Sequence, residues 1–254
     1  LAAIGSGAND TPFAPLAAKL RAALSRQTLG SSLEGDLTLR RGEGTLSLVI
    51  PAATLRNRNG VRLAELSRLR WSNAEGGNLG GSFRTGGPDL PRMTGSLTSA
   101  AGGSAVWQLS LEEYAARSSR IAAPDLRIVQ SPDGRFDLTG DVRLSGPLPG
   151  GFARNLAFPL DAVFEKDGSF RAFTRCTPVR FDRFEYANLR LARHAVTLCP
   201  PTGRAIVRGG NGPLRIVAGA PSLDLAGTLA GTPIDIRSGP IAIAYPGIVR
   251  ASEL

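Results

Sequence analysis

From Ala105 to Tyr245 the chain alternates apolar and polar residues with a period of two, and each run ends in a cluster of Gly, Pro, Asp or Asn. That period belongs to a pleated strand, whose successive side chains point to opposite faces. The run Val106-Trp107-Gln108-Leu109-Ser110-Leu111 is followed by Leu126 and Ile128 on either side of Arg127, then by the turn Ser131-Pro132-Asp133-Gly134. Phe136 and Leu138 return, Val142 and Leu144 follow Gly140, and Pro147-Leu148-Pro149-Gly150-Gly151 closes the unit. Phe158, Leu160, Ala162 and Phe164 run to the turn Glu165-Lys166-Asp167-Gly168, and Phe170 and Ala172 come back. Later runs carry Ile206, Leu214, Ile216, Leu223, Leu225, Leu229, Ile234, Ile236, Ile241, Ile243 and Tyr245. No helical period interrupts them, so an all-β fold of short antiparallel strands is expected. No repeat of fixed length is visible, which argues against propellers and leucine-rich arrays. A meander that is apolar on one phase must hide that face. It can close into a barrel, fold into a sandwich, or curl into a trough filled by something apolar.

The first hundred residues differ at their start. Residues 1–9 are small and Gly-rich and read as a connection. Asp10 or Thr11 can cap a helix and Pro12 suits its first position. Phe13, Leu16, Leu20 and Leu24 then recur at spacings of three and four, which predicts one amphipathic helix over 11–27 with that stripe buried, ending near Gly30. A helix at a membrane surface is the alternative, weakened by the short stripe. Leu37 and Leu39, then Leu46, Leu48 and Ile50, begin a β block, with a hairpin signal at Asn57-Arg58-Asn59-Gly60. Residues 72–104 carry Leu79, Phe83, Leu90, Met93 and Leu97 among Gly and Ser and read as short strands rather than a linker. Two parts result: a connection plus helix over 1–30, and one elongated β domain over 31–254.

Both cysteines and the single histidine fall in CTPVRFDRFEYANLRLARHAVTLC, residues 176–199. Alternation predicts two or three short antiparallel strands here, with phase slips at Asp182–Arg183 and Arg193–Ala195 read as a bulge and a turn. Cys176 and Cys199 stand at the ends of this unit, where a disulfide would staple it by about 3 kcal/mol. Two thiols and one imidazole are too few for a structural zinc, and a catalytic thiol would lack an orienting partner for its base. A disulfide points to an extracytoplasmic setting.

The net charge of +9 comes from 30 basic residues, all of them arginines except Lys19 and Lys166. They are dispersed over the polar phase of the strands, which is the pattern of a solvated outer face. Attraction to an anionic membrane surface is the functional alternative. No basic cluster is interleaved with stacking aromatics, so nucleic acid is not expected as a partner. No dinucleotide or P-loop glycine motif and no nucleophile elbow is present, and carboxylates occur singly. Hence no enzyme, cofactor or metal is expected. No apolar run is long enough to span a bilayer.

The segment C-T-P-V-R-F-x-R-F-E-x-A-x-L-R-L at 176–191 and V-T-L-C-P at 196–200 resemble the YdbH-type branch of the AsmA-like envelope proteins, formerly labelled a dicarboxylate transport domain. A-x-x-L-R-I-V-Q-S-x-D-G-R at 123–135 and G-D-V-R-L-S-G-P-L-P-G-G at 140–151 support the resemblance. It is specific over residues 105–250, and the first hundred match in style. It implies a Gram-negative inner-membrane protein with a periplasmic β part that curls into a groove carrying phospholipid tails towards the outer membrane. Its partners would be phospholipid and components of both membranes, and this monomeric chain would be an internal or C-terminal piece, anchored through a part it does not contain.

The groove wall expected from the apolar phase is Leu126, Ile128, Phe136, Leu138, Val142, Leu144, Phe181, Leu189, Leu191, Leu214, Ile216, Leu223, Leu225, Ile234, Ile236, Ile241 and Ile243, with no buried polar or charged residue interrupting it. A polar small molecule would need such interruptions for orientation, whereas an acyl chain needs only a smooth wall. About 16 strands would make a trough of roughly 75 Å. A structural β module without ligand is the competing reading.

Overall fold

The computed structural model describes residues 11–42, 44–74, 77–100, 102–148, 150–210, 212–245 and 249–251. The connection expected over 1–9, the cap at Asp10 and Pro149 of the expected turn lie outside them. One helix, α1 (Phe13–Gln27), precedes the strands. β1 (Ser32–Gly35) and β2 (Thr38–Gly42) follow each other along one side of β3 (Thr45–Arg56). Then β4 (Arg62–Ser72), β5 (Asn78–Thr85), β6 (Met93–Ala100), β7 (Ser104–Ala116), β8 (Ser119–Gln130), β9 (Phe136–Leu148) and β10 (Gly151–Phe164) each pair with the strand before, as an antiparallel meander.

Past β10 the strands shorten but the order continues. β11 (Phe170–Ala172), β12 (Thr177–Phe181) and β13 (Arg183–Tyr186) lie end to end along the free edge of β10. β14 (Leu189–Leu191), β15 (His194–Leu198) and β16 (Val207–Gly209) run back against β13, β12 and β11. β17 (Arg215–Ala220) pairs with β16, and β18 (Leu223–Leu229) pairs with β14. β19 (Thr232–Ser238) lines β18, β20 (Ile241–Tyr245) lines β17, and β21 (Val249–Ala251) lines β20. The interrupted strands therefore act as single positions. One position holds β1 and β2, eight hold β3 to β10, and five hold the groups β11–β13, β14–β16, β17–β18, β19–β20 and β21, fourteen altogether. At about 4.8 Å per step the sheet is about 62 Å wide, shorter than the sequence suggested because short strands continue one another instead of stacking. The sheet is not closed into a barrel.

The interruptions are aligned. Thr177 pairs with Leu198, Cys199 bridges to Gly219, and Gly219 pairs with Ala242, so the breaks at 173–176, 199–206, 221–222 and 239–240 lie side by side. Cys176 and Cys199 are disulfide-bonded across this line, as the sequence predicted, and Cys199 exchanges both backbone hydrogen bonds with Gly219. The turn expected near Arg193–Ala195 is instead a short break between β14 and β15, across which the pairing register is unchanged. The reversal lies at Ala187 and Asn188, where Ala187 takes a φ of 49° and its N–H donates to the Gly150 carbonyl.

Helix α1 begins two residues later than the expected 11–27, with Pro12 at the cap position, and Gly30 follows its end at a φ of 67°. Of the predicted stripe Leu16 is buried and Leu20 half-buried, with Ala23 beside them, whereas Phe13 is 54% and Leu24 44% exposed. Contacts at its polar positions set that rotation. Lys19 Nζ donates to the Ala115 carbonyl at 3.0 Å and pairs with Asp89 at 3.5 Å, and Gln27 accepts from Asn57 Nδ2 at 2.7 Å. Leu16 packs on Tyr114 and Ala116, with Leu111 and Ile121 alongside. The helix thus lies along the strand ends from β9, where Gly146 meets Pro12, to the β3–β4 turn at Asn57. Its 15 residues span about 22 Å, close to the five strand steps they cross.

Thiol titration of the unfolded, unreduced protein should find no free thiol, and reduction should lower stability by about 2–5 kcal/mol. Leu16→Ala should cost about 2–5 kcal/mol in chemical denaturation while Leu24→Ala stays within about 0.5 kcal/mol; equal effects would restore the predicted stripe.

Candidate functional site

Ladder partners share a face, so the registers assign every strand residue to one side of the sheet. Gly81, Leu97, Trp107, Ile128, Leu138, Ala162, Ala172, Val207, Ile216 and Tyr245 form one unbroken row of such partners. A parallel row on the same face runs Ala53, Leu66, Phe83, Gly95, Leu109, Leu126, Gly140 and Leu160. Apart from the hydroxyl of Tyr245 at the end of the first, neither row contains a polar side chain. One residue along, the opposite face reads Ser96, Gln108, Arg127, Thr139 and Asp161. The alternation of the sequence therefore becomes a continuous apolar wall backed by a polar one.

Of the sequence-derived wall residues, Leu126, Ile128, Phe136, Leu138, Val142 and Leu144 share this face across β8 and β9. Ile216, Ile241 and Ile243 lie on it in β17 and β20. Phe181, Leu191 and Leu225 are buried together, with Leu189, Leu223 and Ile236 packed around them, and Ile234 continues this patch opposite Gly227. Leu214 does not join. It precedes β17, has no ladder partner and is 44% exposed. Polar residues do enter this phase, contrary to expectation, among them Gln130 as the ladder partner of Phe136. Thr177 is buried opposite Leu198, and His194 faces Phe181. His194 Nε2 accepts from the Ala226 N–H and Nδ1 contacts the Arg193 carbonyl, so both ring nitrogens are engaged by backbone. Its role here is structural. Trp107, Leu97, Leu109, Leu160 and Ala162, which the wall also contains, carried the same alternation and were readable by extending it.

Most of this wall has no second layer over it. Ile128, Leu138, Val142, Leu126, Ile216 and Ile234 are only half-buried. The chain exposes 16097 Å², whereas a compact monomer of its mass would expose about 10,700 Å². Half again the surface of a globule is what an open, one-layer sheet requires.

The wall bends where strands bulge. Register shifts occur between Leu111 and Tyr114, Ala122 and Asp125, and Ala153 and Leu156, and Asp182 breaks β12 from β13 at the same level. A bulge kinks its strand, so bulges in neighbouring strands crease the sheet. A cavity of about 1130 Å³ lies along this crease, with Leu111, Ile121, Leu144 and Phe181 of the apolar phase and Arg120, Arg143, Arg180 and Arg193 of the other in its lining. Asp182 ties its polar side, accepting from Asn155 Nδ2 and from Arg193 Nε at 2.9 Å. Those hydrogen bonds, Asn155 first, hold its carboxyl below the ordinary 3.8. The stability they bring is therefore present above that ordinary value and lost as pH falls through the lowered one. Among the described residues no cluster of His, Cys, Asp and Glu could hold a metal, and no helix is long and apolar enough to cross a membrane.

The family described as YdbH-like, intermembrane phospholipid transport protein YdbH, matches residues 5–254. No curated protein and no solved structure matches.

An environment-sensitive apolar dye should bind the folded, lipid-stripped chain at neutral pH. Ile128→Glu with Leu138→Glu should remove most of that fluorescence while the disulfide and far-UV spectrum persist; undiminished fluorescence would mean that the dye sits elsewhere.

Proposed function

The chain belongs to the YdbH-like family, and from that premise we propose that its apolar wall binds phospholipid acyl chains in the periplasm and lets them pass between the inner and outer membranes. The family supports a role in lipid transport. The observation that carries the finer reading is the ten-strand row from Gly81 to Tyr245, uninterrupted by a polar side chain and left largely uncovered. Large exposed apolar surfaces on a folded chain mark a binding surface for something apolar. A row that crosses the strands makes a path about nine steps, or roughly 43 Å, long at about 4.8 Å each. That exceeds the length of one extended acyl chain, so the wall suits movement along it better than one fixed site. No group in the rows would pin a polar headgroup, which leaves heads in water at the rims. The reading requires no bond-making step and hence no catalytic residue.

The most informative probe positions are half-buried ones, since Leu144, Leu191 and Leu225 are covered by protein. Photo-crosslinking residues at Ile128, Leu138 and Ile216 should capture phospholipid in cells, and the same residues at Arg127, Thr139 and Arg215 on the opposite face should not. Equal labelling of the two sets, or none in either, would favour a structural module without ligand.

A further inference from the structure

Beside the crease lies a second, smaller cavity of about 340 Å³, lined by Arg117, Ser118, Arg120, Ser145, Phe152, Arg154, Asn155 and Arg183. Four guanidinium groups from four parts of the sheet meet there. Arg117 is in the turn from β7 to β8, Arg120 lies in β8 opposite Ser145, and Arg154 of β10 is the direct ladder partner of Arg183 in β13. Like charges directly opposite one another across strands are destabilising, so an anion set beside such a pair is favoured. The carboxylates at hand are Glu113 on Arg120 at 3.3 Å, Glu185 on Arg183 at 2.9 Å, and Asp182, which pairs with Arg193 at 2.9 Å and also acts on Arg154. Arg190 also shares Glu185 at 3.8 Å, so the arginines here outnumber the carboxylates. Arg117 and Arg154 make no ion pair among the described residues. Ser118 and Asn155 complete the rim with polar groups.

We propose that Arg117, Arg120, Arg154 and Arg183 form a site for the phosphate group of an anionic lipid headgroup at the rim of the wall. The planar fork of arginine matches two phosphate oxygens at once, and several forks from separate strands would fix a phosphodiester in position. Its place supports a lipid over a free ion. Arg120, Ser145 and Asn155 line both this cavity and the larger one, whose lining includes Leu111, Ile121, Leu144 and Phe181. An amphiphile could set its phosphate among the arginines and direct its tails towards the apolar phase. This inference rests on the lipid-binding reading above and adds the headgroup chemistry that the apolar rows leave unspecified.

The test titrates the lipid-stripped chain with three probes: short-chain phosphatidylglycerol, the diacylglycerol with the same tails, and inorganic phosphate. Phosphatidylglycerol should bind at least tenfold tighter than diacylglycerol, and both far tighter than phosphate. Arg154→Gln with Arg183→Gln should abolish that tenfold preference while diacylglycerol binding is unchanged. Arg154→Lys with Arg183→Lys, which keeps the charge but not the fork, should recover only part of it. Arg117→Gln in its exposed turn should weaken the preference severalfold and serves if the double variant fails to fold. Arg208→Gln with Arg215→Gln, elsewhere on the sheet, should leave it intact. Equal binding of phosphatidylglycerol and diacylglycerol would overturn the arginine site and leave the apolar wall standing. Phosphate binding as tight as phosphatidylglycerol and lost in Arg154→Gln with Arg183→Gln would make it a free-anion site and overturn the lipid assignment. Absence of binding by either lipid would overturn the wall itself and the headgroup site with it.

Discussion

One layer of sheet satisfies its own backbone but not its side chains. The long central strands here pair along both edges, so their ladder is complete without any second layer. An apolar face is different, because it is stable in water only when something lies on it. In a sandwich that cover is another sheet, and here it is a single helix over a few strand ends, while Phe181, Leu191 and Leu225 of neighbouring strands cover one another. The remaining wall is left uncovered. The large surface, the scarcity of buried large side chains and the demand for an apolar occupant all follow from that one missing layer.

Bending such a sheet needs devices that kink strands without breaking the ladder. Aligned bulges supply one crease and aligned interruptions another, and the disulfide ties two neighbouring arms at the second. Glycine permits close approach at these places. A Cβ at Gly140 would stand 2.0 Å from the Asp125 carbonyl oxygen, and Gly140 adopts a φ of 153° that side chains avoid. Gly140 sits in an apolar row beside the bulge of β8, so the wall stays continuous through the bend where a larger residue would force it apart.

Alternation was enough to read the strands, the turns at Asn57 to Gly60 and at Glu165 to Gly168, the bonded cysteines and the common face of most wall residues. It works because a period of two fixes which side each residue occupies, whatever the partner strand. It fails where the partner matters. Nothing in Phe173 to Cys176 announces that β11 and β12 lie end to end, and that arrangement is imposed by β10, which is long enough to hold both. Asn188 is a turn former, but the left-handed position falls on Ala187, and the reversal is held by the Gly150 carbonyl, distant in sequence. The helix stripe was misjudged at its ends for a similar reason. Apolar periodicity selects a face only when the surroundings are uniformly apolar, and here Ala115, Asp89 and Asn57 engage Lys19 and Gln27 and turn Leu24 outwards. The arginine cluster was invisible because its members are separated in sequence from Arg117 to Arg183 and only the register of β10 on β13 brings two of them opposite.

That register gives the dispersed arginines a meaning that composition alone could not. On a flat sheet the polar phase would face bulk water everywhere, and each guanidinium would be solvated independently. Where the sheet creases, side chains from adjacent strands converge, and residues of both phases come to line one cavity, as Leu144 and Arg143 do. The two phases are one residue apart along every strand, about 3.3 Å of backbone. A crease is thus the place where a one-layer sheet can present apolar and cationic groups to the same molecule. An amphiphile with an anionic head fits that requirement, and a purely apolar or a purely polar ligand would use only half of it.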